Sequence, residues 1–305
     1  MKTTFVLFTA AVFITAAILL AVPGAMPASQ ISYIKWVDFT PTYAAMMKAL
    51  ELDVNSRGGR NWVELLAYLG AKYGGDFRKF KERDFEAFDP TIKNYAYYFE
   101  AYDAVLHEFV GYYRAETASG WVERYGLKVF SPIAKGYEYS DFDDFGVSRS
   151  YGYKRQHLGH DLMGRVGTPI IAAESGTVEE LGWNQYGGWR VGIRSFDGKR
   201  YYYYAHLRQN RPFAEGLEKG AEVTAGDVIG YMGRTGYSAK ENVNNISETH
   251  LHFGLELIFN ESQKDGANQI WIDLYAITRL LQHNRSEVWR DDNKEYHRVY
   301  GFEEQ

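Results

Sequence analysis

Cysteine is absent from the chain. That excludes disulfides, thiolate zinc fingers, iron–sulfur clusters and a cysteine nucleophile, so any metal must be held by His, Asp or Glu. An excess of positive charge is also missing: 34 Lys and Arg stand against 39 Asp and Glu, a formal net charge of −5. This excludes a nucleic-acid binder whose affinity comes from a basic surface. There is no internal repeat and no low-complexity linker. With 46% hydrophobic and 24% charged residues the chain is a folded protein rather than a disordered one. Its 305 residues allow one large domain or two ordinary ones. What is plentiful is tyrosine, 25 in all, which suits carbohydrate or peptide contact and buried sheet packing alike.

Residues 3–34 carry no charged side chain, and residues 5–22 form an almost unbroken apolar run of 18. As a helix this run spans roughly 27 Å at about 1.5 Å per residue, close to the hydrocarbon thickness of a bilayer. Lys2 precedes it, so the positive-inside tendency places the rest of the chain outside the cytoplasm. The run is long for a signal-peptide core, and residues 23–28 contain no clean A-x-A site. The reading is an uncleaved single-pass anchor over residues 1–30, with a cleaved signal peptide and a secreted product as the rival.

Residues 31–135 read as an α-helical module. Thr40-Pro41 resembles an N-cap followed by proline, with Tyr43, Met46, Met47 and Leu50 at helical spacing. Gly58-Gly59 interrupts. Trp62, Leu65, Leu66, Leu69 and Tyr73 form a second stripe ended by Gly74-Gly75. Asp89-Pro90 repeats the cap signal before a long aromatic helix running from Tyr95 to Tyr113. Glu51 or Glu64 could serve as the acid of a lysozyme-like remnant, but no second carboxylate is identifiable, and surface charge on helices accounts for both. The module has no assignable chemistry and could hold a protein partner.

The texture changes across residues 136–262. Short strands alternate with glycine turns: residues 169–173 and 177–181 around Ser175-Gly176, then 191–196 and 200–206 around the hairpin signal Asp197-Gly198. Residues 228–232 and 250–257 add two more. The expectation is α+β, with an antiparallel two-layer sheet or partly open barrel after the helical module. Residues 263–305 read as a closing helix over 271–281 and a polar, mobile tail beyond Asn284.

Five of eight histidines lie between residues 157 and 252, in the stretches HLGHD, YAHL and HLHF. A strand has side-chain period two, so His250 and His252 share one face while Leu251, Phe253, Leu255 and Leu257 face a core. His157 and Asp161 share a face whether strand or helix, and Gly159 between them permits a close backbone approach. His206 ends a strand and would share a face with Tyr202 and Tyr204, which could line a groove or pack in the sheet. Two His and one Asp would give zinc three ligands and one open position, the catalytic rather than the structural pattern. Such a site lowers the pKa of water from 15.7 to about 7, and a spare His can move its proton. Each stretch alone is an ordinary polar face; their joint occurrence carries the signal.

The stretches HLGHD, GTPIIAAESGTV, YYYYAHL, AGDVIGYMGRTG and THLHFGLEL, in this order over about residues 145–260, resemble the M23 peptidases, the LytM/lysostaphin-type zinc endopeptidases of peptidoglycan. The whole chain also resembles anchored members from clostridial-type Gram-positive bacteria. The resemblance implies one Zn²⁺ per chain held by His157, Asp161 and His252, with His250 and His206 as catalytic histidines and His160 as a structural one. Transition-state charge would need a partner besides zinc; the resemblance implies an aromatic hydroxyl upstream of the first His, here Tyr151 or Tyr153, with simple groove packing as the alternative. The implied substrate is a peptide bond of peptidoglycan stems or cross-bridges at the cell envelope; the rival is a catalytically silent or autoinhibited scaffold on the same fold. The Asn-rich segment 238–248 would rim the groove and restrict substrates, or be a floppy loop. The acidic run Asp141, Asp143, Asp144 reads as a solvated loop, with Ca²⁺ binding as its alternative.

Overall fold

The computed structural model describes residues 37–305 apart from 152, 265 and 267. The apolar run 5–22 lies outside the described residues. Among those described, no helix is long and apolar enough to cross a membrane.

Three helices come first: α1 (Tyr43–Ser56), α2 (Trp62–Tyr73) and α3 (Tyr95–Leu106). The α1 cap is Thr42, whose hydroxyl accepts from Ala45 N, rather than Thr40. Asn61 caps α2 by accepting from the backbone N–H groups of Val63 and Glu64, and Gly74 closes it in the left-handed region. Asp89 accepts from Thr91 in a turn, and α3 starts six residues beyond it. Buried Asp53 ties the module together, accepting from Trp62 N at 2.8 Å and from the Tyr125 hydroxyl at 2.7 Å. Glu51 pairs with Lys48 on an exposed face.

The expected helix through Tyr113 stops at Leu106. Residues beyond it form an antiparallel hairpin, β1 (Val110–Thr117) and β2 (Gly120–Leu127). Alternating exposure along β1 shows why: Phe109 and Tyr113, four residues apart, satisfy a period of two as well as helical spacing.

The remaining elements are β3 (Ser140–Asp141), β4 (Ser148–Tyr151), β5 (Tyr153–Gln156), β6 (His160–Met163), β7 (Pro169–Ile171), β8 (Gly176–Asn184), β9 (Gly188–Ser195), β10 (Arg200–Ala205), β11 (Glu222–Val223), β12 (Val228–Tyr231), β13 (His250–Leu257), β14 (Ile270–Trp271), α4 (Tyr275–Leu281), β15 (Val288–Arg290), β16 (Tyr296–Arg298) and β17 (Phe302–Glu304). The main sheet is antiparallel in the order β11-β8-β9-β10-β13-β6-β3, with β14 also on β13. A short β7–β12 pair and the β4–β5 hairpin stand apart from it. Leu251, Phe253, Leu255 and Leu257 are fully buried, as are Tyr202 and Tyr204, which pack against Phe253.

The C-terminal residues are not the mobile tail their polarity suggests. The strand β17 adds to β1, Phe302 packs on Tyr113 and Phe130, and Ser286 donates to Gly226 O. A few buried anchors outweigh a polar average. The closing helix is shorter than 271–281, because Trp271 is in β14 and α4 begins at Tyr275.

Candidate metal centre and groove

The donor atoms sit where β13 and β6 run side by side. Their register pairs His252 with Asp161 and His250 with Met163. His157 enters from the turn after β5. His157 Nε2, Asp161 Oδ1 and His252 Nδ1 form a triangle with sides of 2.9, 3.0 and 3.0 Å. Tetrahedral zinc with bonds of about 2.05 Å has ligand–ligand edges of about 3.3 Å, so the donors need only spread by a few tenths of an ångström and the set fits the ion. These three residues form a group able to hold a metal.

Tautomers follow from the acceptors. His157 Nδ1 faces the Asp144 carbonyl at 3.3 Å and its carboxylate Oδ1 at 3.1 Å. Both only accept, so Nδ1 carries the proton and Nε2 presents a lone pair to the triangle. Burial works against the charge on Asp161, but the His157 and His252 rings outweigh it and hold the carboxyl far below its usual range.

Gly159 makes the triangle possible. A Cβ there would lie 2.5 Å from His252 Cε1 and 2.9 Å from Phe253 O; the second contact is backbone and cannot yield cheaply.

His206 reaches the same place by another route. Tyr202 and Tyr204 point into the core, and Tyr201, Tyr203 and Ala205 face the groove. By strict alternation His206 would follow Tyr204 inward. It lies one residue past the end of β10 with φ of 63°, and this left-handed backbone turns its side chain to the groove. The expectation that Tyr202 and Tyr204 share its face is therefore corrected. His206 Nδ1 donates to Thr235 O at 3.0 Å, and Gly236 leaves room for the ring. Burial first, then His250 and His252, push His206 well below its ordinary pKa. His250 Nδ1 donates to Glu248 O at 2.9 Å, and its Nε2 is 3.7 Å from Asp161 Oδ1. The His206 and His250 ring centroids are 4.8 Å apart.

His160 points away from the triangle, as period two requires, and shares a hydrogen bond with Thr278 in α4. Tyr151 and Tyr153 pair on the β4–β5 hairpin, but their side chains lie outside the described residues. Of the acidic run only Asp143 is exposed: Asp141 is 3.2 Å from His160 Nε2, and buried Asp144 backs His157 and binds Arg149. Asp144 is the residue that sequence reasoning missed. Its only signal was membership of a charge run. Replacing Asp144 by Ala is expected to weaken zinc binding about 10- to 100-fold, measured by competition with a chromogenic chelator. Unchanged affinity would remove it from the site.

Beside the triangle lies a groove of about 780 Å³. Segment 238–248 rims it through Ile246, Ser247 and Glu248. The segment is pinned rather than floppy: Asn242 accepts from Trp189 Nε1, Asn244 donates to Gln209, and Asn245 donates to Tyr237 O.

Comparison with known proteins agrees with this geometry. Residues 155–265 match Peptidase family M23. The chain is 33% identical over 156 residues to L-Ala–D-Glu endopeptidase of Bacillus subtilis, covering 47% of this chain and 46% of that one. It is 32% identical over 139 residues to lysostaphin of Staphylococcus simulans, covering 45% and 23%. The chain thus spans less than half the length of these curated relatives. A crystal structure from Ruminococcus gnavus, provisionally named glycyl-glycine endopeptidase LytM, superimposes with a TM-score of 0.57 at 25% identity. That match covers 81% of this chain and 91% of the other, so it extends beyond the β-rich part. On motif, fold and donor geometry together, residues 155–265 are a domain of peptidase family M23.

Proposed function

We propose that the chain is a zinc-dependent endopeptidase that hydrolyses peptide bonds of peptidoglycan outside the cytoplasm. The observation that carries this reading is the His157–Asp161–His252 triangle flanked by His206 and His250 at the wall of one groove. When bound, zinc would supply Lewis-acid polarisation of the scissile carbonyl and a nucleophile from water at neutral pH. The protein's own groups do the rest. His206 and His250 each give Nδ1–H to a backbone carbonyl. Each therefore keeps Nε2 free to take a proton from the attacking water and return it to the departing amine. Burial disfavours charge on His206, so its Nε2 stands unprotonated beside the triangle. The groove volume of about 780 Å³ accommodates a short peptide, which favours an enzyme over a silent scaffold. The relatives' names, L-Ala–D-Glu endopeptidase and lysostaphin, support a cell-wall substrate. The apolar run 5–22 supports the location.

Zinc-loaded protein incubated with intact peptidoglycan should release new amino termini at one defined bond, read by mass spectrometry. The products should be absent with His252→Ala. Zinc bound at one per chain without product would overturn the enzyme reading and leave the scaffold.

A further inference from the structure

Four cations line the groove: Arg149, Arg155, Arg190 and Lys264. Three are neutralised. Arg149 binds Asp144, Arg190 is 3.4 Å from Glu180, and Lys264 binds Glu179. Arg155 has no carboxylate within 4.0 Å among the described residues. Its guanidinium is half-buried, lies 5.5 Å from the Tyr186 ring centroid and 5.0 Å from that of Tyr237, and donates to the Tyr237 hydroxyl at 2.6 Å. Its Nη1 is enclosed and finds no acceptor among the described residues. Removing a cation from water without a counter-charge is costly, and two aromatic faces only partly offset that cost. The fold holds this cation in place regardless. The Tyr237 ring in turn packs edge-on against His206 at 5.9 Å, which puts the lone cation one ring away from the reacting centre.

We propose that Arg155 is the anchor for a substrate carboxylate. Resting on the peptidase reading above, this assigns the substrate class: an acidic stem peptide, held by the free α-carboxylate of its γ-linked D-Glu, rather than a neutral glycine bridge. A planar guanidinium matches a carboxylate in two parallel hydrogen bonds, while polyglycine offers nothing to neutralise it. Glu248, exposed at the His250 side of the groove, leaves the cationic character local to Arg155.

The test uses the full chain loaded with zinc and two C-terminally amidated stem peptides that differ only in D-Glu versus D-isoglutamine, with C-terminally amidated pentaglycine as a third substrate. The wild type should favour the acidic peptide in kcat/KM by about 10- to 100-fold. Arg155→Met should lose that factor on the acidic peptide, leave the amide unchanged, and recover in part as Arg155→Lys. Equal rates on acid and amide in the wild type, or an equal fall on both in Arg155→Met, would overturn the assignment. If the wild type cuts none of the three, the peptidase reading fails. Calorimetric binding of the same peptides to wild type and Arg155→Met then still decides whether Arg155 reads the carboxylate.

Discussion

Replacing Asp161 with alanine is expected to reduce peptidoglycan cleavage to background and to weaken zinc binding about 100- to 1,000-fold. The magnitude is one ligand's share of a zinc binding free energy of about 10–16 kcal/mol. Asp161 is the single anionic member of the triangle, 3.0 Å from both His157 Nε2 and His252 Nδ1. Chelator competition and a peptidoglycan digest measure the two effects on one preparation. Retained activity with full zinc would remove Asp161 from the ligand set. A second consequence is visible without metal. Burial works against charging His157, but Asp161 and Asp144 outweigh it and raise the imidazole above its ordinary value. A raised histidine contributes stability that is fully present below its unfolded pKa of about 6.5 and lost as pH rises through its folded value. The stability gap between metal-free wild type and Asp161→Ala should therefore be largest below about pH 6.5 and narrow above it, read from urea midpoints. A gap independent of pH would mean that His157 does not draw its proton affinity from Asp161.

His206→Asn should separate chemistry from metal binding. Asparagine tolerates the left-handed backbone that His206 adopts at φ of 63°, so the variant removes the imidazole without adding strain. His206 Nδ1 is committed to Thr235 O, and the triangle is complete without it. Zinc content should stay at one per chain while kcat/KM falls about 100- to 10,000-fold. Metal analysis beside a peptide-cleavage assay checks both numbers. Loss of zinc would make His206 a ligand; unchanged turnover would leave the proton work to His250.

Features with short periods were legible in the residue order alone. Alternation in residues 250–257 was enough to put His250 and His252 on one face and four apolar residues on the other, because strand geometry allows nothing else. Spacing put His157 beside Asp161, and Asp197-Gly198 announced the β9–β10 hairpin found in the sheet. The ordered stretches from HLGHD to THLHFGLEL carried the family. What the sequence could not hold was anything decided by partners far along the chain. The β1–β2 hairpin becomes a three-stranded sheet only when β17, nearly two hundred residues later, pairs with β1. The same distant contact orders a C-terminal segment whose composition reads as tail. His206 faces the groove through one left-handed residue beyond the strand end, a backbone state that periodicity does not encode for a non-glycine residue. Asp144 and Arg155 were ordinary charges in the sequence. Tertiary packing made one the support of His157 and left the other without a counter-ion among the described residues, because burial and pairing, rather than residue type, decide what a charge can do.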